Sequence, residues 1–259
     1  MAKYFFDVGG YQGESSRAAL DPLFGFTRVY CFEPVVSCRE YIEKQVHHSR
    51  FELVAAGLFD RSISLPLYGS GSLGASIYSD APSEGDEIEQ CQFIRASDFF
   101  REHVSNGDSV WMKLNCEGAE IAVLNDLLDS GEASKLTEVL IDFDAAKIPS
   151  MRQTVEALEE RLVTAPFSYH YPPEVQFQMT NNYGGIRNWL LMSNAAETGV
   201  LGRLRSMFYQ LRYLLDSRFN GYYKIRVLRW LGLRPPAELV PVAQRSSWSR
   251  LTQPRGPLE

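Results

Sequence analysis

Four stretches of this 259-residue sequence carry acids or amides to positions where an α/β protein does chemistry. The first is Tyr4-Phe5-Phe6-Asp7-Val8-Gly9-Gly10-Tyr11-Gln12-Gly13-Glu14-Ser15-Ser16: an aromatic run, an acid, three glycines within five positions, and a helix start. That is the grammar of a buried strand, a tight turn and a helix N-terminus, where α/β proteins hold a nucleotide-like ligand. The second stretch closes on Glu33, the third on Asn115 with Glu117 and Glu120 after it, and the fourth on Asp142 and Asp144. Ligands on open α/β sheets bind outside the carboxyl ends of the strands, so these groups converge on one edge. Gly9 and Gly13 permit positive backbone φ and close approach. Glu33 follows Gly13 by 20 residues, the spacing and strand-end position at which an acid accepts both ribose hydroxyls, using its two oxygens.

The elements that must position these groups follow from periodicity and turn chemistry. Strands are expected over residues 3–8, 28–33 and 51–56, with helices over 14–24 and 37–46 between them. That β-α-β-α-β rhythm with short connections predicts a parallel sheet with right-handed crossovers. Residues 63–68 alternate and read as an edge strand. The Gly/Ser-rich loop 69–76 and the acidic loop 80–89 then form either a substrate lid or a slack surface loop. Strands at 91–96, 109–114 and 137–144 alternate with helices at 97–104, 117–128 and 151–163. The apolar run Asn188-Trp189-Leu190-Leu191-Met192 reads as a final strand.

Composition narrows the class. Hydrophobic residues make up 45% of the chain, enough for a sizeable core. There is no run of about 18 apolar residues, so no spanning helix is expected. The first strand begins almost at once, so no signal peptide is expected. Cys31, Cys38, Cys91 and Cys116 form no CxxC pair and read as reduced thiols of a cytoplasmic protein. The net charge of −6 divides unevenly: residues 201–259 hold 11 basic and 3 acidic side chains, a balance of +8 on an acidic body. Leu201, Leu204, Phe208, Leu211 and Leu215 fall at helical spacing among arginines. This predicts a basic amphipathic extension over 199–259 beyond a main domain at 1–198. The extension either packs on the domain or, through 201–234, touches an anionic membrane surface at the inner face. No nucleic-acid module is visible, and the body is acidic.

The chain resembles the FkbM-type S-adenosylmethionine-dependent methyltransferases over roughly residues 4–145. Asp7-Val8-Gly9-Gly10-Tyr11-Gln12-Gly13 is similar to the family's first motif, with Gly10-Tyr11 where an Ala-Asn pair is usual. Tyr30-Cys31-Phe32-Glu33-Pro34, Ala55-Ala56-Gly57-Leu58-Phe59-Asp60 and Lys113-Leu114-Asn115-Cys116-Glu117-Gly118-Ala119-Glu120 resemble three further segments, in order. The last has Asn115 where the family pattern has Asp.

The resemblance implies a Rossmann-like class I methyltransferase fold: a mostly parallel, seven-stranded sheet with helices on both faces. It also implies O-methyl transfer to sugars or polyketide-like natural products, with a carbohydrate or glycoconjugate acceptor as the leading expectation. The cofactor would be S-adenosylmethionine, its methionine part and ribose cradled by Asp7, Gly9, Gly10, Gly13 and Glu33, with Ala56 and Asn115 beside it. A hydroxyl acceptor needs a base, drawn from Asn115, Glu117, Asp142, Asp144 and His170. His170 sits in the aromatic loop Tyr169-His170-Tyr171-Pro172-Pro173, and its near-neutral pKa suits the role. Glu117 and Glu120 also read as helix N-terminal acids favoured by the helix dipole. Strand-end acids are expected in this fold in any case, so a metal-free site is preferred over a Mg²⁺ site. Competing readings are a degenerate methyltransferase fold acting as a scaffold and a Rossmann-fold oxidoreductase, the latter disfavoured by Tyr11 in the glycine turn.

Overall fold

A computed structural model of the protein describes residues 1–72, 74–82, 85–172 and 182–193. The domain boundary at 198, the basic extension and the stretch 173–181 lie outside the described residues.

The body is built on a six-stranded sheet in the order β3-β2-β1-β7-β8-β9. Its strands are β1 (Lys3–Val8), β2 (Arg28–Phe32), β3 (Phe51–Val54), β7 (Ser109–Leu114), β8 (Leu136–Ile141) and β9 (Ser168–His170). Every pairing in it is parallel. The chain leaves β1 toward β2 and β3 on one side, then returns to β1's other side with β7. All six carboxyl ends share one edge, and the reversal of strand order at β1/β7 opens a crevice there.

The two-residue period of β1 divides the core. Phe6 and Val8 face one layer with Tyr30, Phe32, Met112, Leu114, Val139 and Ile141. This layer is covered by α3 (Ala96–His103), α4 (Glu120–Ser130) and α5 (Arg152–Leu162). Phe5 faces the opposite layer with Val29, Cys31, Trp111 and Leu140. There the cover is α1 (Glu14–Ala19), α2 (Val36–Gln45) and α6 (Asn182–Met192). Strands buried on both faces read as continuous apolar runs, which is why β1, β2 and β7 are legible.

Three expectations are corrected: the strand count, the 188–192 run and the end of α1. Residues 63–68 are an edge strand, as expected, but of a sheet other than the main one. They form β5 (Ile63–Tyr68), antiparallel to β6 (Ile88–Arg95), which pairs in parallel with β4 (Gly57–Phe59) in a separate sheet ordered β4-β6-β5. The described residues therefore hold six strands in the main sheet, not seven. Pro66 is tolerated because β5 lies at an edge, and Gly57 lets β4 approach Phe93, whose ring would lie 2.5 Å from a Cβ there.

The run at 188–192 is helix α6, not a strand. A short apolar run is ambiguous by periodicity alone. Tyr183, Ile186 and Leu190 fall on a helical stripe that packs with Ala18 and Ala19 of α1, and Trp189 is completely buried. Finally, α1 stops at Ala19. The Asp21 carboxylate accepts the Leu23 N–H at 2.9 Å and starts a separate 3-10 turn, Pro22–Phe24.

Candidate functional site

A cleft of about 1260 Å³, its open mouth included, lies at the β1/β7 reversal. Its floor is the turn after β1. Gly9 and Gly10 donate their N–H groups to the Phe32 carbonyl at 3.1 and 3.2 Å, which folds the turn toward β2. Gly9 has φ 79°, and a Cβ there would sit 1.8 Å from the Asn115 carbonyl oxygen. No side chain fits between β1 and β7 at that point. Gly10, Tyr11 and Gln12 line the cleft with Gly9. Gly13 lies beneath it, capping α1 and packed against Ile42 and Val46.

Asp7 supports this turn from below. It is fully buried and does not line the cleft. Its Oδ2 accepts the Ser16 N–H at 3.0 Å and the Ser16 hydroxyl at 2.7 Å. Its Oδ1 lies 3.3 Å from the Lys113 ammonium, which also donates to the Gly9 carbonyl. Asp7 therefore ties α1 and β7 to the turn. Burial raises its pKa, opposed first by Lys113. Lys113, which lines the cleft, carried no separate signal in the sequence beyond its place in a motif.

Glu33 closes the floor from β2. It is 5% exposed and lines the cleft. Its Oε2 accepts the Tyr11 N–H at 2.7 Å and its Oε1 the Val35 N–H at 2.9 Å. Burial pushes its pKa up to about 7, against the two N–H groups, which favour the ionised form. Beyond Glu33 the wall is apolar, with Val35, Leu58, Leu67 and Phe93. Ala56 is not part of the wall; its neighbours Gly57 and Leu58 are.

On the opposite side stand Asn115, Glu117 and Asp142. The Asn115 amide donates to the Asp142 carboxylate at 3.4 Å. Glu117 does not begin a helix: α4 starts at Glu120, and Glu117 has φ 50°. Its pKa is pushed up to about 7 by burial and then by Asp144. Burial and Asp144 also raise Asp142. Asp144 itself is 3% exposed, ion-paired with Lys147, and is not among the cleft-lining residues. His170 is also absent from the wall. Its Nε2 lies 2.9 Å from Glu138 Oε2, across the β8/β9 edge. Pro172, from the same loop, does line the cleft, and Tyr171 packs on Tyr169 and Phe143.

The Gly/Ser loop forms the remaining wall through Gly71, Ser72, Gly74, Ala75 and Ile77. Serine and glycine patterning marked it as a loop, but its location depends on long-range contacts that no local pattern encodes. Among the described residues, no group of three His, Cys, Asp or Glu side chains is placed to hold a metal ion. Among them too, no helix is long and apolar enough to cross a membrane.

No family model matches the sequence. No curated protein matches it. Among solved structures, it is similar to the crystal structure of Methyltransferase FkbM from Methylobacillus flagellatus KT at 2.20 Å resolution. The match has 15% identity and a TM-score of 0.37, covering 61% of this chain and 36% of that one, a likeness too distant to assign function. The chain thus spans about a third of that protein's length. The parallel sheet, its strand order and the helices on both faces give an α/β fold consistent with the Rossmann-like class I methyltransferase arrangement.

Proposed function

We propose that the protein is an S-adenosylmethionine-dependent O-methyltransferase acting on a hydroxyl of a carbohydrate or glycoconjugate. The observation that carries this reading is the placement of Glu33 against the Gly9–Tyr11 turn at the reversal point of a parallel sheet. Each oxygen of a carboxylate accepts about two hydrogen bonds. Tyr11 and Val35 occupy one site on each Glu33 oxygen, so both oxygens retain capacity for a vicinal diol. The apolar wall beside Glu33 suits a purine, and the donor set therefore fits the cofactor.

When bound, S-adenosylmethionine supplies a methyl group on a sulfonium that is already a good leaving group. The chain's own contribution is positioning, which is worth about 7–11 kcal/mol when reacting atoms are held in line. Glu33 and the turn fix one partner. Glu117 and Asp142 face the same cleft from the other side, where either carboxylate can take the proton of an acceptor hydroxyl. Such a base contributes about 10²–10⁴-fold, or roughly 3–5 kcal/mol. Asn115 orients Asp142 through its amide. Asp144 and Lys147 set the local field behind them. The hydrogen-bonding acids and the aromatic loop before Pro172 favour a polyhydroxylated acceptor over an apolar one.

Calorimetry with S-adenosylhomocysteine tests the cofactor. Binding that is lost or weakened at least about tenfold, equivalent to about 1.4 kcal/mol, in Glu33→Ala supports the reading. No binding by the wild-type chain, or binding indifferent to Glu33, would falsify it. Transfer of a labelled methyl group to a panel of glycans and polyketides then tests the acceptor class.

A second reading, a methyltransferase fold that binds without turnover, is favoured by Asn115 standing where the resemblance has Asp. It predicts S-adenosylhomocysteine binding with no transfer to any acceptor. For residues 201–234, we propose contact with an anionic membrane surface, on the strength of their charge and aromatic content. Equal recovery of the full chain with anionic and neutral vesicles would refute that.

A further inference from the structure

We infer that Ser76 and Glu120 are positioning residues for Glu117, so that the seating of the 74–78 strap on the turn after β7 and the fixing of the Glu117 carboxyl are one structural event. What Glu117 does there rests on the methyltransferase reading; how it is held does not.

Glu117 is a non-glycine residue in the left-handed region, with φ 50°. Such a conformation persists where the surroundings over-determine it, and it concentrates at functional sites. Two independent holds impose it. From the start of α4, the Glu120 carboxylate accepts the N–H groups on either side of Glu117: Cys116 at 2.9 Å on Oε1 and Gly118 at 2.9 Å on Oε2. From the strap, the Ser76 hydroxyl donates to the Glu117 carbonyl at 2.5 Å and accepts the Tyr78 N–H at 3.2 Å. Ser76 and Glu120 are both 0% exposed. Tyr78 closes over the next residue: a Cβ on Gly118 would lie 2.9 Å from its ring.

The strap is anchored elsewhere too. The Glu89 carboxylate accepts the Val36 N–H at 3.1 Å, at the start of α2, and the Ser70 hydroxyl at 2.6 Å. Asp80 accepts the N–H and hydroxyl of Ser150 at 3.0 and 3.1 Å. Gly71, Ala75 and Ile77 form cleft wall on the side between α2 and the Glu117 turn. Burial, and then Asp144, push the Glu117 carboxyl up to about 7, so a change in how its turn is held shows in its titration.

The test is a carboxyl-carbon NMR titration of the full chain, without ligand, with Glu117 assigned by the signal lost in Glu117→Gln. In Ser76→Ala the Glu117 midpoint is expected to fall by about one unit or more, while those of Glu33 and Glu120 stay near 7. Ser76→Cys keeps the volume and weakens the donor. It should give a smaller fall, and it serves where the alanine variant does not fold. An unchanged Glu117 midpoint in a folded Ser76 variant, or a fall shared by all three glutamates, overturns the proposal. Wild-type protein that fails to bind S-adenosylhomocysteine, yet shows Glu117 following Ser76, sinks the methyltransferase reading and leaves the coupling standing.

Discussion

The carboxylate of Glu33 accepts the backbone N–H of Tyr11 across 2.7 Å, joining the end of β2 to the turn after β1. Tyr11 has φ 47°, a conformation that L side chains rarely adopt. The hydrogen bond thus holds a turn whose glycines alone do not define it. Glu33 therefore supports the glycine turn, and on the proposed reading it also accepts the ribose hydroxyls.

Ligand affinity should rise with pH. Burial holds the Glu33 carboxyl at about 7 in the free protein, and diol donors bind the ionised form. Between pH 5.5 and 8, S-adenosylhomocysteine affinity is expected to increase by about tenfold or more. The slope should flatten in Glu33→Gln, with lower affinity at pH 8. Calorimetry across this range checks it; an affinity that falls toward pH 8 contradicts it.

Stability should run the other way. Glu33, Glu117 and Glu120 each rise from 4.5 to about 7 through burial. The folded state therefore binds more protons than the unfolded state between these values, and stability falls as pH rises through that window. The favourable contribution is complete below pH 4.5 and lost above about pH 7. The loss from each buried group is on the order of a few kcal/mol. Thermal unfolding from pH 5 to 8 should show a declining Tm, less steep in Glu33→Gln. Saturating S-adenosylhomocysteine should offset the decline at the upper end.

Gly9→Ala should destabilise the fold severely. The added Cβ would overlap a backbone oxygen of Asn115 at 1.8 Å, and backbone cannot swing aside as a side chain can. A positive φ adds to the cost. A loss of about 3 kcal/mol or more is expected by denaturant unfolding, through forced separation of β1 and β7. A change below about 1 kcal/mol would mean that the turn adopts another conformation.

Trp189→Ala tests the assignment of α6. Trp189 is fully buried, within 6.2 Å of the Phe5 ring, and the Trp111 indole N–H donates to the Ser193 hydroxyl at 3.1 Å, just beyond the helix. Truncation should cost about 3–5 kcal/mol. A loss below about 1 kcal/mol would show that this helix does not cover the sheet.

The legible part of the fold is the part written in local pattern. The apolar runs of β1, β2 and β7 mark doubly covered parallel strands, and the glycine turn marks the first strand-to-helix connection. Glu33 is legible because its place is given by its spacing from that turn and its strand-end position. The 188–192 run is ambiguous because four apolar residues in a row satisfy either period, and only packing against α1 selects the helix. Residues 63–68 looked like a sheet edge and are one, but of another sheet, since alternation reports half-burial without naming the partner strand.

The sequence by itself determined the β-α-β-α-β order of the first three strands, the edge on which polar groups gather, and the acid that meets the glycine turn. These follow from chain direction and side-chain period, which are local. Tertiary structure alone decided which acids reach the cleft. Asp7 stands on the same face as Phe5, beneath the α1 cover, and is taken by Ser16 and Lys113. Asp144 turns to Lys147 and His170 to Glu138, whereas Glu117 enters the cleft on a left-handed turn. The difference is physical. Strand ends bring several acids within a few residues of one edge, but burial and the nearest partner decide each side chain's direction. Some of those partners come from distant points in the chain, such as Lys113 for Asp7 and Glu138 for His170.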